Sequence, residues 1–147
     1  LFLFSTGTGF APFASLIRDP ESYEKYENII VTHTCRNINE LNYSRSIVNE
    51  CNSNEMFQEI IDGKLTFYQT TTREKSDFFG RITDRLIDHS FYEDLKIMPI
   101  NPDQDRVMIC GSLEFNNDLK KILIEYKFNE GATNNPGEFV LEKAFVG

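Results

Sequence analysis

The chain has 147 residues, 40% of them apolar and 26% charged, with a formal net charge of −8. That balance excludes a disordered segment and a generic basic nucleic-acid binder, and no apolar run approaches the ~20 residues of a membrane-spanning helix. Three widely spaced cysteines, Cys35, Cys51 and Cys110, form neither a CxxC pair nor a disulfide framework, which points to a reducing, cytoplasmic setting.

Short apolar runs alternate with helical patterns along the chain. Leu1–Phe4 reads as strand interior from its first residue, so the chain is expected to be the back part of a longer protein. A helix follows over Ala11–Arg18, where Phe13, Leu16 and Ile17 have helical spacing and Asp19-Pro20 ends it. Asn28–Thr34 is a β-branched core strand, and Asn39–Cys51 a helix with Leu41, Ser44, Ile47 and Val48 on one side. Met56, Phe57, Ile60 and Ile61 predict a further turn or two of helix, closed by Gly63. Leu65–Thr71 is the third strand, 73–80 a polar loop, and a short helix runs from about Ile82 to His89. Residues 90–104, with Pro99 and Pro102, read as irregular. Val107–Cys110 is the fourth strand, and Ser112 caps an amphipathic helix carrying Phe115, Leu119, Ile122, Leu123 and Tyr126. Phe139–Leu141 is the last strand. Strands apolar on both faces, alternating with helices, predict an α/β fold with a parallel sheet covered on both sides.

Two features carry chemistry. Ser5-Thr6-Gly7-Thr8-Gly9-Phe10-Ala11-Pro12 follows a strand and opens a helix, the context in which glycines let a backbone approach a diphosphate and free amides bind it. Thr6 and Thr8 add hydroxyls, and Pro12 suits the first helical turn. The pattern is GxGxxP rather than GxGxxG, and a tight βα turn without a ligand fits the same residues. The second feature is charge. Residues 63–85 are the one net-basic stretch, with Lys64, Arg73, Lys75, Arg81 and Arg85. Where an NAD site carries an acidic residue after its second strand, this chain has Arg36. Arg36, Arg73 and Arg81, leaving two adjacent strand ends, suit a 2′-phosphate because guanidinium groups offer paired donors in a plane. A solvated loop face would use the same residues without a ligand.

STGTGFAPFASLIRDPE (5–21), HTCRNINELNY (33–43), TTTRE (70–74), GRITD (80–84), VMICGS (107–112) and PGEFVLEKAFVG (136–147) together resemble the NADP-binding domain of bacterial ferredoxin–NADP(+) reductases. The resemblance spans essentially the whole chain, and its EKAFV ending is that of the short bacterial subclass. It implies a doubly wound five-stranded parallel sheet of order 3-2-1-4-5, with residues 1–147 as the NADP-binding domain and an FAD-binding β-barrel upstream of Leu1. It implies that Thr6, Gly7, Thr8, Gly9 and Pro12 hold the pyrophosphate and that Arg36, Arg73 and Arg81 hold the 2′-phosphate. Cys110 would approach the nicotinamide, and Glu142 would organise the hydride-transfer site. Ala144 would face the flavin where plastid relatives stack an aromatic ring, and Phe145 would cover the FAD.

Simpler readings stand beside these. Cys110 at the end of a core strand is often just a small buried residue, and Glu142 could be a solvent-facing carboxylate. His33 and His89 lack metal-ligand spacing and read as structural. The expected activity is hydride exchange between NADP(H) and FAD, with ferredoxin or flavodoxin as the one-electron partner and a monomeric chain. Alternatives are another NADPH-linked flavin reductase or a module that senses NADP(H) without catalysis.

Overall fold

The computed structural model describes residues 1–132 and 134–143. Five strands, β1 (Phe2–Thr6), β2 (Ile29–Cys35), β3 (Leu65–Thr71), β4 (Val107–Gly111) and β5 (Phe139–Lys143), form one sheet of order β3-β2-β1-β4-β5. Every neighbouring pair is parallel. The fold class and strand order expected from the sequence are therefore those observed.

The apolar runs explain the arrangement. Phe2, Leu3 and Phe4 are all buried, as are Ile29, Ile30 and Val31, because a central parallel strand has no solvent face. Alternate side chains go to opposite faces and feed separate cores. Phe2 and Phe4 pack with Phe91, Leu119 and Leu123, whereas Leu3 packs with Phe13, Ile17, Val31 and Ile47. Seven α-helices cover the described part of the sheet: α1 (Phe10–Ile17), α2 (Pro20–Lys25), α3 (Asn42–Ser53), α4 (Glu55–Ile61), α5 (Ile82–Ile87), α6 (Ser90–Leu95) and α7 (Leu113–Glu125). None of them is long and apolar enough to cross a membrane.

Two helices depart from the expected pattern. Asp19-Pro20 does end α1, but the same pair starts α2: the Asp19 carboxylate accepts from the Glu21 amide at 3.0 Å, and Pro20 takes the first helical position. The segment expected to be irregular contains α6, which buries Phe91 and Tyr92 and is flanked by His89 and Lys96, both at positive φ. The last strand also runs two residues beyond Leu141, through Glu142 and Lys143.

A polar cluster ties α5 and α6 to β3. Arg85 Nε donates to the Tyr68 hydroxyl at 2.6 Å, Arg85 Nη2 donates to Asp94 Oδ2 at 2.6 Å, and the Tyr68 hydroxyl donates to the same carboxylate oxygen at 2.6 Å. The pair is largely shielded, and burial together with Asp94 pushes the Tyr68 phenol well above its ordinary value. Asp94→Ala leaves a guanidinium and a phenol short of their acceptor. It should cost about 1–3 kcal/mol in denaturant unfolding, and a loss below 0.5 kcal/mol would show the cluster to be idle.

Candidate nucleotide site

The connections after β1, β2, β3 and β4 meet at the carboxyl edge of the sheet. β1 lies between β2 and β4, so the chain leaves it at the point where strand order reverses, and ligands of open α/β sheets bind there. A cavity of about 360 Å³ opens at this point. Its lining includes Thr6 and Gly7 after β1, Arg36 and Glu40 after β2, Arg81 and Thr83 at α5, and Ser112, Glu114 and Asp118 at α7.

The glycine loop is a short 3-10 turn, Gly7–Gly9, running straight into α1. The two glycines do different work. Gly7 sits at φ +51 with open space where a side chain would point. Gly9 lies against the sheet: a Cβ there would be 2.1 Å from the Cys110 carbonyl oxygen. Gly111 is similarly confined, since a Cβ would meet Thr6 Oγ1 at 2.3 Å and Phe115 Cδ1 at 2.6 Å. That packing lets the Ser112 amide donate to Thr6 Oγ1 at 3.2 Å, joining the ends of β1 and β4. Ser112 caps α7 as expected, its hydroxyl accepting from the Phe115 amide at 3.2 Å. The amino end of α7 thus faces the cavity, with that of α1 following the Gly7–Gly9 turn beside it, an arrangement that favours an anion.

Of the residues singled out in the sequence, Thr6, Gly7, Arg36 and Arg81 line this one cavity. Thr8, Gly9 and Pro12 continue the turn and the first turn of α1 without lining it. Arg73 is exposed outside the lining, but its amide donates to the Arg36 carbonyl at 2.9 Å, so the two arginines leave neighbouring backbone positions. Arg81 Nη1 lies 3.9 Å from Glu114 Oε1, with both side chains mostly exposed, at 64% and 78%. Cys110 is fully buried in the core with Leu3 and Phe13, and burial raises its thiol pKa above the ordinary value. Glu142 is exposed and is the register partner of Cys110. Ala144 and Phe145 lie outside the described residues.

Sequence reasoning missed the acidic part of the lining, Glu40, Glu114 and Asp118. Glu40 is occupied as a cap, its Oε1 accepting from the Asn37 amide at 3.1 Å and from Asn37 Nδ2 at 3.3 Å. His33 reads from the sequence as structural, and the structure supplies its partners. The ring is 2% exposed, and its Nε2 lies 2.7 Å from the Gly7 carbonyl oxygen. A histidine near the carboxyl end of a fully buried strand, β2, beside the strand that leads to the glycine loop, was the available signal.

A family model described as the oxidoreductase NAD-binding domain matches residues 3–121. The chain is 51% identical over all 147 residues to the flavodoxin/ferredoxin–NADP reductase of Rhodobacter capsulatus, covering 54% of that protein. It is 40% identical over 147 residues to the ferredoxin–NADP reductase of Azotobacter vinelandii, covering 99% of this chain and 57% of the relative. A crystal structure of a ferredoxin NADP+ reductase from Neisseria gonorrhoeae with bound FAD and NADP superposes with a TM-score of 0.82 at 23% identity, over 98% of this chain and 55% of that one. The chain therefore spans about half the length of the relatives it matches.

Proposed function

The chain belongs to the oxidoreductase NAD-binding domain family, and from that premise we propose that it is the NADP(H)-binding half of an FAD-dependent ferredoxin/flavodoxin–NADP(+) reductase. The observation that carries the reading is the convergence of the Gly7 loop, Arg36 and Arg81 on one cavity at the strand-order switch point.

The roles follow from position. The glycine turn and the amino ends of α1 and α7 hold the diphosphate, with Thr6, Thr8, Gly9 and Pro12 shaping the turn. Arg36, Arg81 and the adjacent Arg73 hold the 2′-phosphate with charge-assisted bonds. The nicotinamide reaches the carboxyl ends of β4 and β5, where Cys110 and Glu142 are register partners. There the buried Cys110 supplies a backbone wall, and the exposed Glu142 orients the ring. Ala144 and Phe145 are assigned to the flavin contact, and the flavin, when bound, supplies the exchange between a hydride and single electrons. The FAD-binding half precedes this one in the same protein, which acts as a cytoplasmic monomer on ferredoxin or flavodoxin.

In the full-length protein NADPH should reduce the flavin, and the reduced flavin should pass electrons to ferredoxin or flavodoxin. A flavin left oxidised by NADPH would overturn the reading. Glu142→Ala should slow that reduction roughly 10-fold, equivalent to about 1.4 kcal/mol, with NADP+ affinity changed much less. Stopped-flow absorbance separates the two effects, and an unchanged reduction rate would remove Glu142 from the site.

A further inference from the structure

We propose that His33 is a positioning residue that fixes which way the Gly7–Thr8 peptide faces, and so aims the loop amides at the nucleotide diphosphate. This rests on the nucleotide reading above and adds to it a residue that never reaches the ligand.

The argument starts from the loop. Gly7 at φ +51 is in a conformation that glycine leaves easily, so the peptide after it can turn over at little cost. A trans peptide is planar, with its C=O and N–H pointing in opposite directions. Fixing the Gly7 carbonyl therefore fixes the Thr8 N–H. His33 provides the fixing partner from inside the molecule, with Nε2 2.7 Å from that oxygen. With the carbonyl held toward buried β2, the Thr8 N–H points the opposite way, away from His33. The reversed peptide would present a carbonyl oxygen to a phosphate and repel it.

The histidine is itself held on all sides. Nδ1 lies 2.6 Å from Ser44 Oγ on α3, and Cys35 Sγ lies 3.3 Å from Nε2. The Phe10 ring of α1 packs against the imidazole at a centroid distance of 5.2 Å. A carbonyl can only accept, so Nε2 donates to Gly7; on the other side Nδ1 meets the Ser44 hydroxyl, which itself lies 3.0 Å from the Leu41 carbonyl oxygen. Burial holds the imidazole below its ordinary pKa, which favours the neutral ring. One ring thus joins β2, α3 and the β1 loop.

The test compares two ligands on the purified protein by calorimetry. NADP+ carries the diphosphate; adenosine 2′-phosphate carries the 2′-phosphate and lacks it. His33→Leu fills the space without a donor and should weaken NADP+ about 10-fold, the equivalent of one lost hydrogen bond, while adenosine 2′-phosphate binds as before. His33→Gln places an amide nitrogen near the Nε2 position and should restore most of the NADP+ affinity. His33→Asn reaches Ser44 but not Gly7 and should behave like the leucine variant, so the comparison survives if leucine prevents folding. Unchanged NADP+ affinity in both His33→Leu and His33→Asn, equal losses for both ligands, or no difference between Gln and Asn would overturn the role. A wild-type protein that binds neither ligand would overturn the underlying nucleotide reading instead.

Discussion

Arg81→Ala should weaken NADP+ binding roughly 10- to 100-fold and leave NAD+ binding nearly unchanged, because a charge-assisted hydrogen bond is worth ~1.5–3 kcal/mol. Arg36→Ala should do the same, since both side chains line the cavity from different strand ends. Arg81 sits beside Glu114, but an ion pair this exposed, at 3.9 Å, is weak and gives way readily to a phosphate. Glu114→Gln should therefore leave NADP+ affinity intact or tighten it. Arg73→Ala should act in the same direction as the other two arginines, as its backbone adjoins Arg36. High salt should narrow the preference, because an open phosphate site is screened. Calorimetry with both nucleotides decides the point: equal losses for NADP+ and NAD+ would place these arginines elsewhere than the 2′-phosphate.

Gly9→Ala should be the most damaging single-methyl change in the loop. The added carbon would stand 2.1 Å from the Cys110 carbonyl oxygen, which is backbone of β4 and cannot swing aside like a flexible side chain. The loop would have to lift off the sheet, at a cost of about 3 kcal/mol, lowering Tm by roughly 6–12 °C. NADP+ binding should fall with it, because the same movement displaces the amino end of α1. Gly7→Ala is the control. It meets open space and carries only the strain of its positive φ, about 1–2 kcal/mol. Thermal unfolding of the two variants should rank Gly9→Ala well below Gly7→Ala, and the reverse order would contradict the packing described.

The sheet was legible because its strands are apolar on both faces. Ile29-Ile30-Val31 and Val107-Met108-Ile109 fit covered strands, and their alternation with helices gives a parallel sheet, whereas the order of its strands came with the family resemblance. The two helices not anticipated, α2 and α6, are six residues each, too short for a 3.6-residue period to repeat. Asp19-Pro20 reads as a stop signal for the preceding helix, but a proline after Asp is equally a start signal. At the site, the glycine turn and Arg36 were legible because strand ends place them regardless of packing detail. Glu114 and Asp118 were not, because which face of α7 meets the cavity is settled by how the helix docks. His33 was legible only as a buried polar residue; its partner Gly7 lies 26 positions away and is met only through the pairing of β1 with β2.

The central claim is a nucleotide site selective for the 2′-phosphate, and titrating NADP+ and NAD+ into the wild-type protein at low salt tests it most directly. The account predicts that NADP+ binds at least 10-fold more tightly, about 1.4 kcal/mol or more. Equal affinity for the two nucleotides, or tighter binding of NAD+, would contradict it.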